Sequence, residues 1–350
     1  MSERAWRGTA GRILAGLALV TAVSCAREPE RTRVVAFEGP TMGASWSVRL
    51  VWPGSGEVDP EERARLQRSI QATLTQIDRL MSTWDATSEL SHFNASTSLD
   101  RFPVAPETFD VFRSASLMAT ETGGAMDATV LPLVDAWGFG ATRSVPLPDE
   151  ATVARLRADV GMANIELDPA GAWVRKRRPG VRVTFSAIAP GYAADRVAAL
   201  LTAAGYARFL VDIGGEMVAR GHNAEGLPWQ VGVERPSDTA RSVERIVSLH
   251  DQAIATSGDY RNYRDGADGR LPHILDPRSG RPVHHALASV TVLAPEAVRA
   301  DALSTALMVM GPDEAMAFAR ARNLPALLLV RTATGQFEER ASPAFADRVR

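Results

Sequence analysis

The stretch "EAVRADALSTALMVMG" places Asp301 and Thr305 four residues apart, one helical turn, while Leu303, Leu307 and Met310 supply an apolar face. A carboxylate and a hydroxyl stacked in this way can hold a hard cation that keeps several waters or takes phosphate oxygens. Taken alone, such a pair more often marks a solvated aspartate and a threonine bonded to its own helix. In "RLPHILDPRSGRPV", His273 precedes the turn signature Asp276-Pro277-Arg278-Ser279-Gly280, and it is a candidate acid, base or ligand. A histidine flanked by apolar residues is, equally, often structural. His284-His285 reads as a surface pair, because neighbours in extended chain point to opposite faces. "GGAMDATVLPLVDAWGFG" sets Asp127 beside a Gly-Gly break and ends on two aromatics among glycines. Glycines permit close backbone approach to a ligand, and Trp137 or Phe139 could stack on a flat ring. By composition alone the segment reads as a tight loop over core aromatics.

One more stretch, "VTFSAIAPGYAADRVAALL", changes period abruptly. Val181, Val183 and Phe185 alternate as a half-buried strand does, whereas Ala194, Val197, Leu200 and Leu201 recur at helical spacing up to a stop at Gly205. The turn between them consists of small residues and ends in Pro190. Backbone N–H groups at such a turn suit a phosphate, yet Pro190 removes one donor and no basic side chain is present. Proline is tolerated there, since that N–H has no helical partner.

These residues need a frame, and the rest of the chain supplies strands and helices in irregular alternation. "MGASWSVRLVW" reads as a strand with Trp46, Val48, Leu50 and Trp52 on one face. Asp59-Pro60-Glu61-Glu62 is an N-cap, an N1 proline and an acidic first turn for a helix burying Leu66, Ile70, Leu74, Ile77 and Leu80. Further helices are expected over 106–122, 149–160 and 296–310, with another after Pro312. Strands are expected over 165–167, 173–175 and 181–185, in "RFLVDIGGEMVARG" on both sides of Gly214-Gly215, and in "WQVGVERP", "VERIVSLHDQAIATSG", "ASVTVLAP" and "ALLLVRT". Many strands lie close enough in sequence for hairpins. The expectation is an α+β fold with mixed, largely antiparallel sheets and packed helices. No internal repeat, low-complexity segment or internal linker interrupts it.

With 350 residues and a formal charge of −2, the chain has material for a well-buried core but lacks the strong basic patch of a nucleic-acid binder. Lys176 is its single lysine, and there is no P-loop, nucleophile elbow, HExxH motif or complete dinucleotide fingerprint. One cysteine excludes both a Cys-cluster metal site and an intramolecular disulfide. Arg4, Arg7 and Arg12 precede the apolar run 13–23, which is too short to span a bilayer and ends in "TAVSC". That pattern resembles a bacterial lipoprotein signal, implying cleavage before a lipidated Cys25. Such signals usually carry Leu where this chain has Ala22, and simple secretion is the alternative. The expected organisation is a signal peptide over 1–25, a tether over 26–36 and a catalytic domain over 37–350.

In order along the chain come "TMGASW", "STWDATSELSHFN", "GAMDATVLPLVDAWGFG", "SAIAPGYAADR", "VDIGGEMVARG", "GLPWQVGVERP", "ATSGDYRNY", "HILDPRSGRPV" and "ADALSTALMVMG". This succession resembles the ApbE-type FAD:protein FMN transferases from about Phe37 to beyond Gly311. The resemblance implies an exported, often lipid-anchored enzyme on the periplasmic face of a bacterial membrane. It would use Mg²⁺ to cleave FAD, transfer FMN to a Thr or Ser hydroxyl of an acceptor protein and release AMP. The acceptors would be flavoprotein subunits of membrane electron-transfer complexes. By matching position, Asp301, Thr305 and the Ala187 carbonyl would hold the metal. FAD would contact Met42, Trp84, Ala125, Met126, Asp127, Leu275 and the turn from Thr184 to Pro190, and His273 would assist transfer. The chain departs from the family at Thr184, where many members have Asp, and at Pro190, where many have Lys or Glu. Trp84 stands where tyrosine is common. Two alternatives stay open: Mg²⁺-dependent FAD hydrolysis without an acceptor, and a non-catalytic exported flavin-binding lipoprotein.

Overall fold

Eight strands pair in the order in which the chain makes them. They are β1 (Arg33–Thr41), β2 (Ala44–Trp52), β3 (Phe209–Ile213), β4 (Glu216–Arg220), β5 (Ala253–Gly258), β6 (Leu287–Ala294), β7 (Ala326–Arg331) and β8 (Phe337–Ala341). Every neighbouring pair is antiparallel. The computed structural model describes residues 33–54, 58–141, 145–237, 242–260, 263–266 and 269–346. All of them fall within one compact unit, Thr32–Arg350. The signal peptide, Cys25 and the first part of the expected tether lie outside the described residues. Because β1 begins at Arg33 and pairs with Trp52, residues 33–36 belong to the sheet rather than to a tether.

Alternation along the strands gives the sheet two apolar faces. Trp46, Val48 and Leu50 of β2 join Val211 of β3, Val218 of β4 and Val290 of β6 under a layer of helices. Val51, Leu210, Ala219, Ile254 and Leu327 face the other way and are covered by a two-stranded ribbon, Trp229–Glu234 with Val243–Leu249. The helices are α1 (Pro60–Met81), α2 (Glu89–Ala95), α3 (Pro106–Glu121), α4 (Leu131–Ala136), α5 (Glu150–Arg157), α6 (Ala189–Ala203) and α7 (Ala297–Ala321), of which α4 and α5 pack a smaller cluster of their own, while the short α8 (Pro343–Ala346) packs on the ribbon side through Phe345. Asp59 caps α1 as expected, accepting from Glu61 N at 3.0 Å. The buried stripe of α1 is Leu66, Ile70, Leu74, Ile77 and Met81, with Leu80 only partly buried. None of the helices among the described residues is long and apolar enough to cross a membrane.

Helices α1 to α6 all lie in the connection from β2 to β3, together with a three-stranded sheet, Phe102–Pro103, Trp173–Lys176 and Ile165–Leu167. Lys176 is buried in this lobe, where its Nζ donates to Ser96 O at 2.6 Å and sits 4.6 Å from the Phe93 ring centroid. The expected strand over 181–185 is a correction. The segment is extended and its alternating valines are buried, but it joins no sheet. The Asn94 side chain takes the place of a neighbouring strand: it donates to Val183 O at 2.8 Å and accepts from Val183 N at 2.7 Å. Next along, Thr184 N donates to Ala128 O at 2.8 Å.

The two helices expected over 296–310 and beyond Pro312 run on as α7, interrupted at Gly311 by φ 78°. Pro312 has no N–H for the carbonyl of Met308, four residues earlier. His285 fills the gap, with its Nε2 2.9 Å from Met308 O and its ring against Gly311, where a Cβ would come within 2.9 Å of Cδ2. His284 is exposed as read from the sequence, but His285 is half-buried, and burial holds its pKa below the usual histidine value.

Candidate functional site

Helices α6 and α7 cap each other, and the candidate metal ligands lie at that junction. The first four N–H groups of a helix lack intrahelical partners. Neither helix start has a side-chain cap from its own N-cap residue, Ile188 or Glu296. Asp195 of α6 instead accepts from Ala297 N at 2.9 Å and Val298 N at 2.8 Å. In return, Asp301 of α7 accepts from Gly191 N at 3.0 Å. The exchange requires close approach: a Cβ on Gly191 would lie 2.4 Å from Ala297 O and 2.8 Å from Asp301 Cβ. The turn's free donor after Pro190 is therefore directed to a carboxylate of the protein itself.

Asp301 is 5 % exposed. Its pKa is pushed up to about 7, chiefly by burial and further by the Asp195 charge, against the Gly191 hydrogen bond, which lowers it. Asp195 is likewise raised by burial, to about 6. Beside Asp301 lies a set of hydroxyls: Ser257 Oγ of β5 is 2.8 Å from Ser304 Oγ and 3.0 Å from Thr305 Oγ1, while Ser304 Oγ donates to Asp301 O at 2.9 Å. Among the described residues no arginine or lysine pairs with Asp301, and no group of three or more His, Cys, Asp or Glu side chains forms a metal cage. A buried carboxylate without a counter-ion, next to neutral oxygens, fits a hard cation such as Mg²⁺. The Ala187 carbonyl stands directly before Ile188, the N-cap of α6, at this junction.

The expected flavin wall divides into groups. Met42 takes φ 44° at the tip of the β1–β2 hairpin, a left-handed conformation that side chains rarely adopt. Ala125 and Met126 are buried after α3, and Met126 N donates to Thr122 Oγ1 at 3.1 Å. Asp127 is committed to the fold: Oδ1 accepts from Thr129 N at 2.9 Å and from the Thr129 hydroxyl, and Oδ2 accepts from Met162 N at 2.9 Å. What this segment can offer a ligand is backbone rather than the Asp127 carboxylate. Thr184 is pinned beside it through Ala128 O, and its Oγ1 lies 3.2 Å from Ser186 Oγ. The 125–128 segment, the 184–190 turn, Asp301 and Thr305 thus share one region organised by α6.

His273 and Leu275 come from a different group. Leu275 is buried with Leu133, Trp137 and Val153, and His273 stacks edge-on to Phe139 at 6.5 Å between centroids. Trp84 is 60 % exposed in the loop between α1 and α2. A cavity of about 1100 Å³ is lined by residues that include Asp259, Tyr260, Pro272, His284 and Arg331. None of the candidate residues lines it, so the site rests on chemistry rather than on cavity size. Sequence reasoning missed Asp195 and Ser257, whose partners are about fifty to a hundred residues away, and no local pattern could have revealed them.

Comparison with known proteins points to one family. The sequence profile of the ApbE family matches residues 42–328. The FAD:protein FMN transferase of Escherichia coli is 37 % identical over 331 residues, covering 92 % of this chain and 93 % of that protein. The enzyme of the same name from Vibrio cholerae is 39 % identical over 336 residues, covering 95 % of this chain and 97 % of its own. Among solved structures, flavin transferase ApbE from Vibrio cholerae superposes with TM-score 0.81 at 38 % identity, over 91 % of this chain and all of that one. The apo flavinyl transferase ApbE of Pseudomonas stutzeri gives TM-score 0.82 at 35 % identity, over 91 % of this chain and 97 % of its own. A family profile over residues 42–328 and relatives 37–39 % identical over more than nine-tenths of the chain show that this chain belongs to the ApbE family of flavin transferases.

Proposed function

We propose that the protein transfers FMN from FAD to a Thr or Ser hydroxyl of an acceptor protein in a Mg²⁺-dependent reaction that releases AMP. The observation that carries this reading is Asp301, a buried carboxylate with no basic ion-pair partner among the described residues, one helical turn from Thr305, whose hydroxyl lies 3.0 Å from Ser257 Oγ. Asp301, Thr305 and the Ala187 carbonyl would hold Mg²⁺, which when bound neutralises charge on a diphosphate. The Met42 tip and the backbone of Ala125–Asp127 and Thr184–Pro190 orient the flavin nucleotide. Thr184 gives a hydroxyl but no charge, and Pro190 gives neither, so the grip on the nucleotide relies on backbone and shape. Trp84 is exposed enough to lay its indole on a flat ring.

The acceptor hydroxyl oxygen bonds to the phosphorus of the FMN moiety as the bond to the AMP oxygen breaks. His273 takes the hydroxyl proton at an imidazole nitrogen, a contribution of about 10²–10⁴-fold for a well-placed base. The same reading places the protein outside the cytoplasm, lipid-anchored at Cys25, with flavoprotein subunits of membrane electron-transfer complexes as acceptors. The test is acceptor mass: incubation with FAD and Mg²⁺ adds one FMN to a threonine-bearing flavoprotein subunit, and chelation abolishes the gain. AMP release indifferent to acceptor would instead favour simple hydrolysis. No mass gain in any such subunit would refute transfer.

A further inference from the structure

Glu216 is a carboxylate to which the site as described gives no task. It opens β4 directly after the Gly214-Gly215 turn and stands opposite Ile213. Side chains alternate along β4: Met217 packs with the ribbon-side cluster and Val218 with the core under the helices. Glu216 therefore leaves the sheet on the helix side, with Val218. In the neighbouring strand, Ala253 faces Val218 and Ile254 faces Met217. Continuing that register sets Ala255 beside Glu216, and Ala255 packs on Ala300 of α7, the residue before Asp301. At the other end of the side chain, a Cβ on Gly214 would lie 3.5 Å from Glu216 Oε2 and 3.6 Å from Ala44 Cβ. The carboxylate thus lies over its own turn, between the hairpin that carries Met42 and the helix that carries Asp301.

Among the described residues no basic side chain forms an ion pair with Glu216. Its carboxyl is pushed well above the usual carboxylate range, first by burial and next by the Asp301 charge. Asp301 is buried and Glu216 partly buried, and two acids on neighbouring elements with no basic partner are an expensive arrangement if packing is their sole purpose.

We propose that Glu216 is a further cation-positioning residue, whose charge joins that of Asp301 in drawing a divalent cation to the α6–α7 junction. The inference rests on the Mg²⁺ reading above. Mg²⁺ sheds its waters reluctantly, and a carboxylate beyond the direct ligands can accept hydrogen bonds from those that remain.

The experiment is calorimetric titration of MgCl₂ into the full chain, Glu216→Gln and Asp301→Asn, with thermal midpoints recorded in metal-free and Mg²⁺-containing buffer. Glu216→Gln is expected to weaken Mg²⁺ binding about 10–100-fold, the usual effect of losing an outer partner of a metal site. It should leave the metal-free midpoint no lower than the parent's and shrink the rise that Mg²⁺ produces. A packing role alone would lower the midpoint in both buffers. Unchanged Mg²⁺ affinity in Glu216→Gln, with binding lost in Asp301→Asn, overturns this inference and leaves the Mg²⁺ reading intact. A lowered metal-free midpoint in Glu216→Gln also overturns it. Absence of saturable Mg²⁺ binding to the parent chain overturns both.

Discussion

Replacing Gly191 by alanine sets two large effects against each other. Alanine is the better helix former by about 1 kcal/mol, and Gly191 lies within α6, so propensity alone predicts stabilisation. The structure predicts the opposite. The new Cβ would stand 2.4 Å from Ala297 O, 2.7 Å from Ala297 C and 2.8 Å from Asp301 Cβ, two of these being backbone atoms that cannot swing aside. Ordinary contact begins at 3.4 Å, so α6 and α7 must part by roughly 1 Å. Overpacking of this kind costs about 1–3 kcal/mol. Separation also stretches the Gly191–Asp301 hydrogen bond, and a bond to a charged group contributes about 1.5–3 kcal/mol. With the propensity gain set against both costs, the net expectation is a loss of about 1.5–5 kcal/mol, read as a lower urea midpoint at unchanged slope and a thermal midpoint lower by several degrees. Flavin transfer should fall with it, because Asp301 and the 184–190 turn move apart. A Gly191→Ala protein as stable as its parent, or more so, would refute the claim that the two helices are in contact at this glycine.

The remaining predictions probe other parts of the frame. Asn94→Ala leaves Val183 N and O without their partner, so stability should fall by about 1–3 kcal/mol in urea titration, with hydrogen exchange at Val183 and Thr184 accelerated. Lys176 has its pKa lowered to about 8, mainly by burial, whereas the unfolded chain keeps that proton up to about 10.5. Between those values folding releases a proton, so stability rises with pH there. Compared with Lys176→Met, the parent should gain up to about 3 kcal/mol from pH 8 to 10.5. His285→Ala leaves Met308 O unpaired at the break in α7, and denaturation should show a loss of about 1–3 kcal/mol. Because burial depresses the His285 pKa, the unfolded chain binds the proton first as pH falls, and this residue's contribution should be lost progressively below the ordinary histidine range.

What the sequence revealed depended on how local the cause was. The alternation of Trp46, Val48 and Leu50, the Asp59-Pro60 start of α1 and the Gly214-Gly215 hairpin follow from neighbours a few residues apart, and each formed as expected. Val181–Phe185 carried the right alternation and the wrong partner, because a single amide from Asn94, 89 residues away, supplies what a strand would have supplied. The spacing of Asp301 and Thr305 suggested a cation, but Asp301 acting as the cap of α6 depends on a residue 110 positions earlier. His285 looked like surface because its purpose, to satisfy a carbonyl that Pro312 leaves open, lies in a helix still to come. Asp127 shows the converse: a residue of plausible chemistry proves to be fully occupied by Thr129 and Met162.

The simple order of the eight strands has a consequence for how the molecule tolerates change. Seven of its strand pairings join consecutive strands, and only the β2–β3 pairing must wait for the whole excursion between Trp52 and Phe209 to return. The entropy of closing such a loop grows only with the logarithm of its length, so insertions in the exposed connections of the excursion weigh little on the equilibrium, whereas changes to its buried helix faces, Leu66, Ile70 and Leu74 among them, act on the core itself. They weigh more on the rate, since long-range pairings form late. The excursion carries the turn at Pro190 and the 125–128 segment, while Asp301 arrives on the helix between β6 and β7. The connections around the proposed nucleotide wall can therefore be remodelled by length as well as by sequence while the sheet beneath α7 keeps its register, a freedom that would let one scaffold serve different acceptors.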